Sequence, residues 1–151
     1  MTSDRLSKKS IIEACKQKQK QTIADFDQEL KNIRENLTNH DESASQSQKG
    51  SSSDNEMIVR LEHELMFLKK ELQTLDSIDP EKILERVNEG AVVETDQRIF
   101  FVSTSIEQFD VEGKSLFGIS TKAPIFPVMQ GKVEGDSFEY GGIRYFILDV
   151  Y

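Results

Sequence analysis

The chain has 151 residues, a formal charge of −8, two histidines and one cysteine. That acidity argues against binding to a nucleic-acid backbone, so no direct DNA contact is expected. Cys15 leaves no internal disulfide, and with only His40 and His63 beside it no thiolate or imidazole zinc site is credible.

No apolar run approaches the roughly 20 residues of a membrane span. The opening MTSDRLSKKS lacks the apolar centre of a signal peptide. A soluble cytoplasmic protein is expected.

From about Asp4 to Leu37 the apolar residues recur in alternating steps of three and four. Ile12, Cys15, Ile23, Phe26, Leu30, Ile33 and Leu37 form this seam, with Gln19 as its polar member. Such spacing predicts a helix with a coiled-coil stripe. A polar break follows over Thr38 to Glu56, read TNHDESASQSQKGSSSDNE, and is expected as loop. His40 and His63 are expected at the surface.

A second seam then runs through Ile58, Leu61, Leu65, Leu68, Leu72 and Leu75. Ser53 and Glu56 stand in the relation of a capping box, which predicts a helix start there. Two seams joined by a flexible break fold back most cheaply as an antiparallel hairpin. A parallel dimeric coil is the competing assembly, but the serine-rich break would interrupt it, so a monomer is expected. The hairpin would place four carboxylates at its tip: Asp41, Glu42, Asp54 and Glu56.

Residues 77–90 connect. Asp79 as N-cap and Pro80 at the first helical position predict a short helix over Glu81 to Asn88, ending at Gly90. From Ala91 the pattern becomes strand-like. AVVET, RIFFVST, SLFGIS, SFEY and IRYFILDVY read as strands, with turns at Glu112-Gly113 and Gly141-Gly142. Pro124 and Pro127 break the intervening stretch, so a helical turn from Pro124 to Gly131 is expected there.

The fold class is therefore α+β. An antiparallel coiled-coil hairpin over 1–76, with its tip near 38–56, precedes a small antiparallel β domain over 91–151. With about 60 residues in that domain, no aromatic-lined pocket is assigned. No nucleophile–base set or phosphate loop is present either, so the chain is not read as an enzyme.

Ser77 to Tyr151 resembles the Gre-type bacterial transcription elongation factors, and most closely the short Gre-like proteins of the Bacteroidetes group. GAVVETDQRIFFVSTS resembles their opening strands. LFGISTKAPIFPVMQGKVEGDSFEYGGIRYFILDV resembles their docking and closing segment, and IDPEK also recurs. The resemblance implies an FKBP-like β domain docked on RNA polymerase at the rim of its secondary channel, against a β′ coiled coil. Lys122, Ala123, Pro124 and Ile125 match the docking segment, with Ala123-Pro124 where the family has Ser-Pro.

It also implies a hairpin inside the channel whose acidic tip shares Mg²⁺ with the polymerase. The polymerase then cleaves the 3′ end of backtracked RNA. Added hard oxygen ligands raise the occupancy of a weakly held Mg²⁺, and a metal-bound water is the better nucleophile.

On this resemblance Asp54 and Glu56 are the candidate metal carboxylates, with Asp41 and Glu42 as substitutes. The family pattern is D-x-x-E, whereas Asp54 and Glu56 are two apart. On a helix they would point away from each other, so joint chelation requires a loop. The plainer role is a first-turn pair that caps the second helix. Two alternatives stand beside stimulated cleavage: a regulator that occupies the secondary channel without cleavage, and a coiled-coil adaptor unrelated to transcription.

Overall fold

The computed structural model describes residues 5–41 and 48–151, with side chains over 5–37 and 53–151. Two long helices come first, α1 (Lys8–Asp41) and α2 (Gln48–Ser77). Six strands and one short helix follow: β1 (Val92–Thr95), β2 (Ile99–Ser103), β3 (Ile106–Val111), β4 (Lys114–Ser120), α3 (Phe126–Met129), β5 (Ser137–Tyr140) and β6 (Ile143–Val150). The class is α+β. Among the described residues no helix is long and apolar enough to cross a membrane.

The chain divides into two compact units. One is Gln19–Lys70, and the other combines Met1–Lys18 with Glu71–Tyr151. Each seam member of the first unit is buried or half-buried. Leu30, Leu61 and Leu65 form its centre, with Ile23, Phe26, Ile33, Met57 and Ile58 packed round them. The Gln19 amide donates to the Leu68 carbonyl at 3.0 Å, and Arg34 pairs with Glu62. Later residues of α1 thus meet earlier residues of α2, which makes the pair antiparallel. The buried Gln19 amide is thereby satisfied inside the seam, which spares the pair the cost of an unpaired polar group.

The larger unit is built on one sheet, in the order β3-β4-β2-β1-β6-β5. Four of its strand pairs are antiparallel, but β2 and β4 run parallel, from Ile99 beside Leu116 to Ser103 beside Ser120. Both glycine-containing turns form as expected. Glu112 and Gly113 have φ of 52° and 81°, and Gly141 and Gly142 have 60° and 78°, the positive values of primed hairpin turns.

β1 and β2 alternate between two cores. Val92 and Phe101 face Leu6, Ile11, Ile12, Cys15 and Leu75 from the bases of the long helices. Val93, Phe100 and Val102 face the other way, with Phe126, Met129, Phe138 and Tyr145. The amino-terminal arm is clasped to the last strand. Arg5 donates to both carboxylate oxygens of Asp149 at 2.8 and 2.9 Å and lies 5.0 Å from the Tyr151 ring centre. The Leu6 N–H donates to the Tyr151 hydroxyl at 2.9 Å.

Three local expectations are corrected. α2 starts at Gln48, not at Ser53. The helix expected over Glu81 to Asn88 is a run of turns and bends. Asp79 does accept from the Glu81 N–H, but long-range pairing takes the rest of the segment. The Val87 N–H donates to Lys132 O at 2.9 Å, and Val87 O accepts from Gly131 N–H at 2.8 Å. Finally, α3 opens at Phe126 with Pro127 in its first turn. Pro124 belongs to the preceding turn, where Ser120 O accepts from Ala123 N–H and Ala123 O from Phe126 N–H.

Two consequences can be measured. A Cβ at Gly118 would stand 2.5 Å from Thr104 O and 3.0 Å from Ile106 Cβ. Gly118→Ala is therefore expected to lower unfolding free energy by about 1–3 kcal/mol in urea titrations, the usual cost of overpacking.

Lys8 is buried, donates to Lys82 O at 2.7 Å, and is pushed by burial down to about 8. Below that pH the amine is charged both folded and unfolded. Between about 8 and 10.5 the unfolded chain holds the proton and the folded chain does not. Wild-type stability should therefore rise across that window relative to Lys8→Met, by on the order of 3 kcal/mol.

Candidate functional site

Each unit holds part of the predicted site. In the helical unit Asp54 and Glu56 both lie within α2, well inside its first residue. Helical positions two apart are separated by about 200°. Asp54 falls in line with Ile58, Leu61 and Leu65, on the face packed against α1, and is half-buried. Glu56 is exposed on the opposite face.

The two carboxylates are therefore not brought together, and they do not fit joint chelation of one Mg²⁺. Among the described residues no group of three or more His, Cys, Asp or Glu is placed to hold a metal ion. Glu42 and the side chains of Asp41 and His40 lie outside the described residues. His63 is exposed and Cys15 is buried, its thiol pushed up to about 12 by burial.

In the sheet unit the predicted docking residues form the turn between β4 and α3. The Ser120 hydroxyl accepts from the Lys122 N–H at 3.1 Å and pins the loop. Lys122 and Pro124 are exposed. Ala123 and Ile125 are half-buried and packed on the sheet core. Ile125 also forms one wall of an open groove of about 330 Å³.

The groove floor is aromatic. Phe100 meets Tyr145 edge to face at 5.5 Å, and Tyr145 stacks on Phe138 at 4.9 Å. Phe117 and Tyr140 also line it, and the Arg98 guanidinium lies 4.6 Å from the Phe117 ring centre. Ser105 and Glu107 edge the opening. Glu107 sits where the β3–β4 register shifts between Ile106 and Gln108. Such a bulge leaves backbone groups outside the ladder.

An apolar floor with a few polar groups at the rim suits binding of an extended or turned segment of another chain. This aromatic groove corrects the expectation that none could be assigned. Alternation along β2 and β6 puts Phe100 and Tyr145 on one face. Phe117 arrives only through the parallel β2–β4 pairing, which carries no short-range sequence signal.

No family model matches the chain. No curated protein matches it either. Among solved structures it is similar to the transcription factor Gfh1, at 17% identity and a TM-score of 0.36, over 91% of this chain and 94% of that chain. It is also similar to GreA factor homolog 1 of Thermus thermophilus, at 14% identity and a TM-score of 0.35, over 90% and 94%. For Gfh1 of Thermus aquaticus the values are 14%, 0.32, 89% and 92%. Likeness at these values assigns neither a fold nor a function.

The placement of Ser53 inside α2 can be checked directly. An N-cap serine replaced by alanine costs about 1 kcal/mol, whereas a serine inside a helix gains slightly from the same change. Ser53→Ala should leave the urea midpoint unchanged or raise it. A loss near 1 kcal/mol would restore the capping box.

Proposed function

We propose that the chain is a Gre-like transcription factor that binds RNA polymerase and acts from its secondary channel. One observation carries the reading. The segment that resembles the family's docking motif, Lys122 to Ile125, forms an exposed turn, and its Ile125 lines an aromatic groove. That is the physical form a docking site needs: apolar anchors in a concavity, with a polar rim. The antiparallel helical pair in the other unit supplies the element that would enter the channel. The groove and turn would receive the tip of the β′ coiled coil. The protein acts on backtracked RNA only through the polymerase, as an accessory factor in the cytoplasm.

Helical placement of Asp54 and Glu56 favours occupancy of the channel over stimulated cleavage. In the cleavage reading Mg²⁺ is held mainly by the polymerase, and only one of these two carboxylates can face it at a time. Two carboxylates on opposite faces of a helix offer less than the family's D-x-x-E pair.

The test is a pair of measurements with polymerase from the same organism. Ile125→Asp should weaken polymerase binding by about 30-fold or more, the size expected for loss of a buried anchor. The wild-type protein should bind stalled, backtracked complexes without speeding Mg²⁺-dependent shortening of the RNA. Acceleration abolished by Asp54→Ala or Glu56→Ala alone would establish the cleavage reading. Failure to bind polymerase at all would point to the adaptor instead.

A further inference from the structure

Where the start of α1 meets the segment joining α2 to β1, the sheet unit holds a cavity of about 240 Å³. Lys8, Ser77, Asp79, Lys82, Leu84 and Glu89 line it. Lys8 is the unusual member. It is only 6% exposed, yet it makes no ion pair among the described residues. One N–H of its amine donates to Lys82 O at 2.7 Å. A protonated amine has two more donors to satisfy, and a buried lysine is almost always paired. Asp79 and Glu89 stand on the same cavity wall, but neither closes on it.

We propose that Lys8 is a modification site, its amine taking the acyl group of a small acyl phosphate that enters this cavity. The neutral amine nitrogen attacks the acyl carbon, and a C–N bond forms. The bond from that carbon to the phosphate oxygen breaks, and inorganic phosphate leaves with the electron pair. The amine proton passes to solvent. The product is a neutral amide, which burial favours over an ammonium. Its one N–H can still donate to Lys82 O, so the contact survives the change. The cavity limits the acyl group to a few carbons, and the Lys82 side chain brings positive charge for the departing phosphate.

The charges round Lys8 act in the same direction. Burial lowers its basicity most; Lys82 and Arg5 add to that, and Asp79 opposes it. With the amine at about 8, it is neutral near pH 7.5 about 200 times more often than an ordinary lysine. Only the neutral amine is a nucleophile. The inference is independent of any role at the polymerase.

The test treats the folded full chain with acetyl phosphate and follows each lysine by peptide mass spectrometry. Near pH 7.5 Lys8 should be acetylated at least about fivefold faster than exposed Lys9 and Lys114, since its free-base advantage outweighs its lower basicity. Its rate should level off above about pH 8, while theirs keep rising. In the urea-unfolded chain the three should react alike. Ser77→Leu, which fills the cavity from an exposed position, should slow Lys8 by about tenfold or more and leave Lys9 and Lys114 unchanged. Lys8 no faster than Lys9 in the folded chain, a Lys8 rate that climbs with theirs past pH 9, or labelling indifferent to Ser77→Leu would each overturn the site.

Discussion

Strands β1 and β2 are buried on both faces, and the sheet unit depends on that constraint. Val92 and Phe101 point to one side, Val93 and Phe100 to the other, and all four are nearly excluded from solvent. A strand pair with two apolar faces needs two covering layers. One layer is built on α3, through Phe126 and Met129. The other comes from residues at the beginning of α1 and the end of α2, with Ile11, Cys15 and Leu75 fully buried among the strands. The long helices are thus not appended to a finished β domain, because their bases complete its core.

The same constraint explains the clasp at the two ends of the described chain. Tyr151 closes the first core, and its backbone pairs with Val92 in both directions, at 2.7 and 3.0 Å. Arg5 then spans Asp149 and the Tyr151 ring, a charge-assisted bond and a cation–π contact in one side chain. Burial, rather than exposed ion pairing, holds this corner. By contrast Arg34 and Glu62 are about half exposed, and such pairs contribute little.

Much of this was legible in the sequence, because its signals are short-range. Steps of three and four gave both helical seams, including Gln19 as a buried polar member. Runs of β-branched and aromatic residues gave five of the six strands, and Glu112-Gly113 and Gly141-Gly142 gave the hairpin turns, the first of them closing β3 onto β4. What was not legible depends on partners distant in the chain. Asp79-Pro80 is a sound helix start, yet Val87 pairs with Gly131 and Lys132 and the helix does not form. Ser53-x-x-Glu56 is a sound capping box, yet α2 already runs through it. The parallel placement of β4 beside β2, with β3 at the edge, follows from no local pattern, and the aromatic groove depends on it.

The helical placement of residues 54 and 56 separates what the spacing alone left joined. A loop could have turned both carboxylates toward one cation, but a helix gives them different neighbours. Asp54 lies in line with Ile58 and Leu61 along the inner seam and is half-buried. Glu56 opens the outer stripe of Val59, His63 and Met66. Charge at the first position therefore bears on the packed face of the pair, and charge at the second on whatever approaches from outside. A single metal site would require the helix to unwind over at least one of them, giving up backbone hydrogen bonds worth about 1 kcal/mol each.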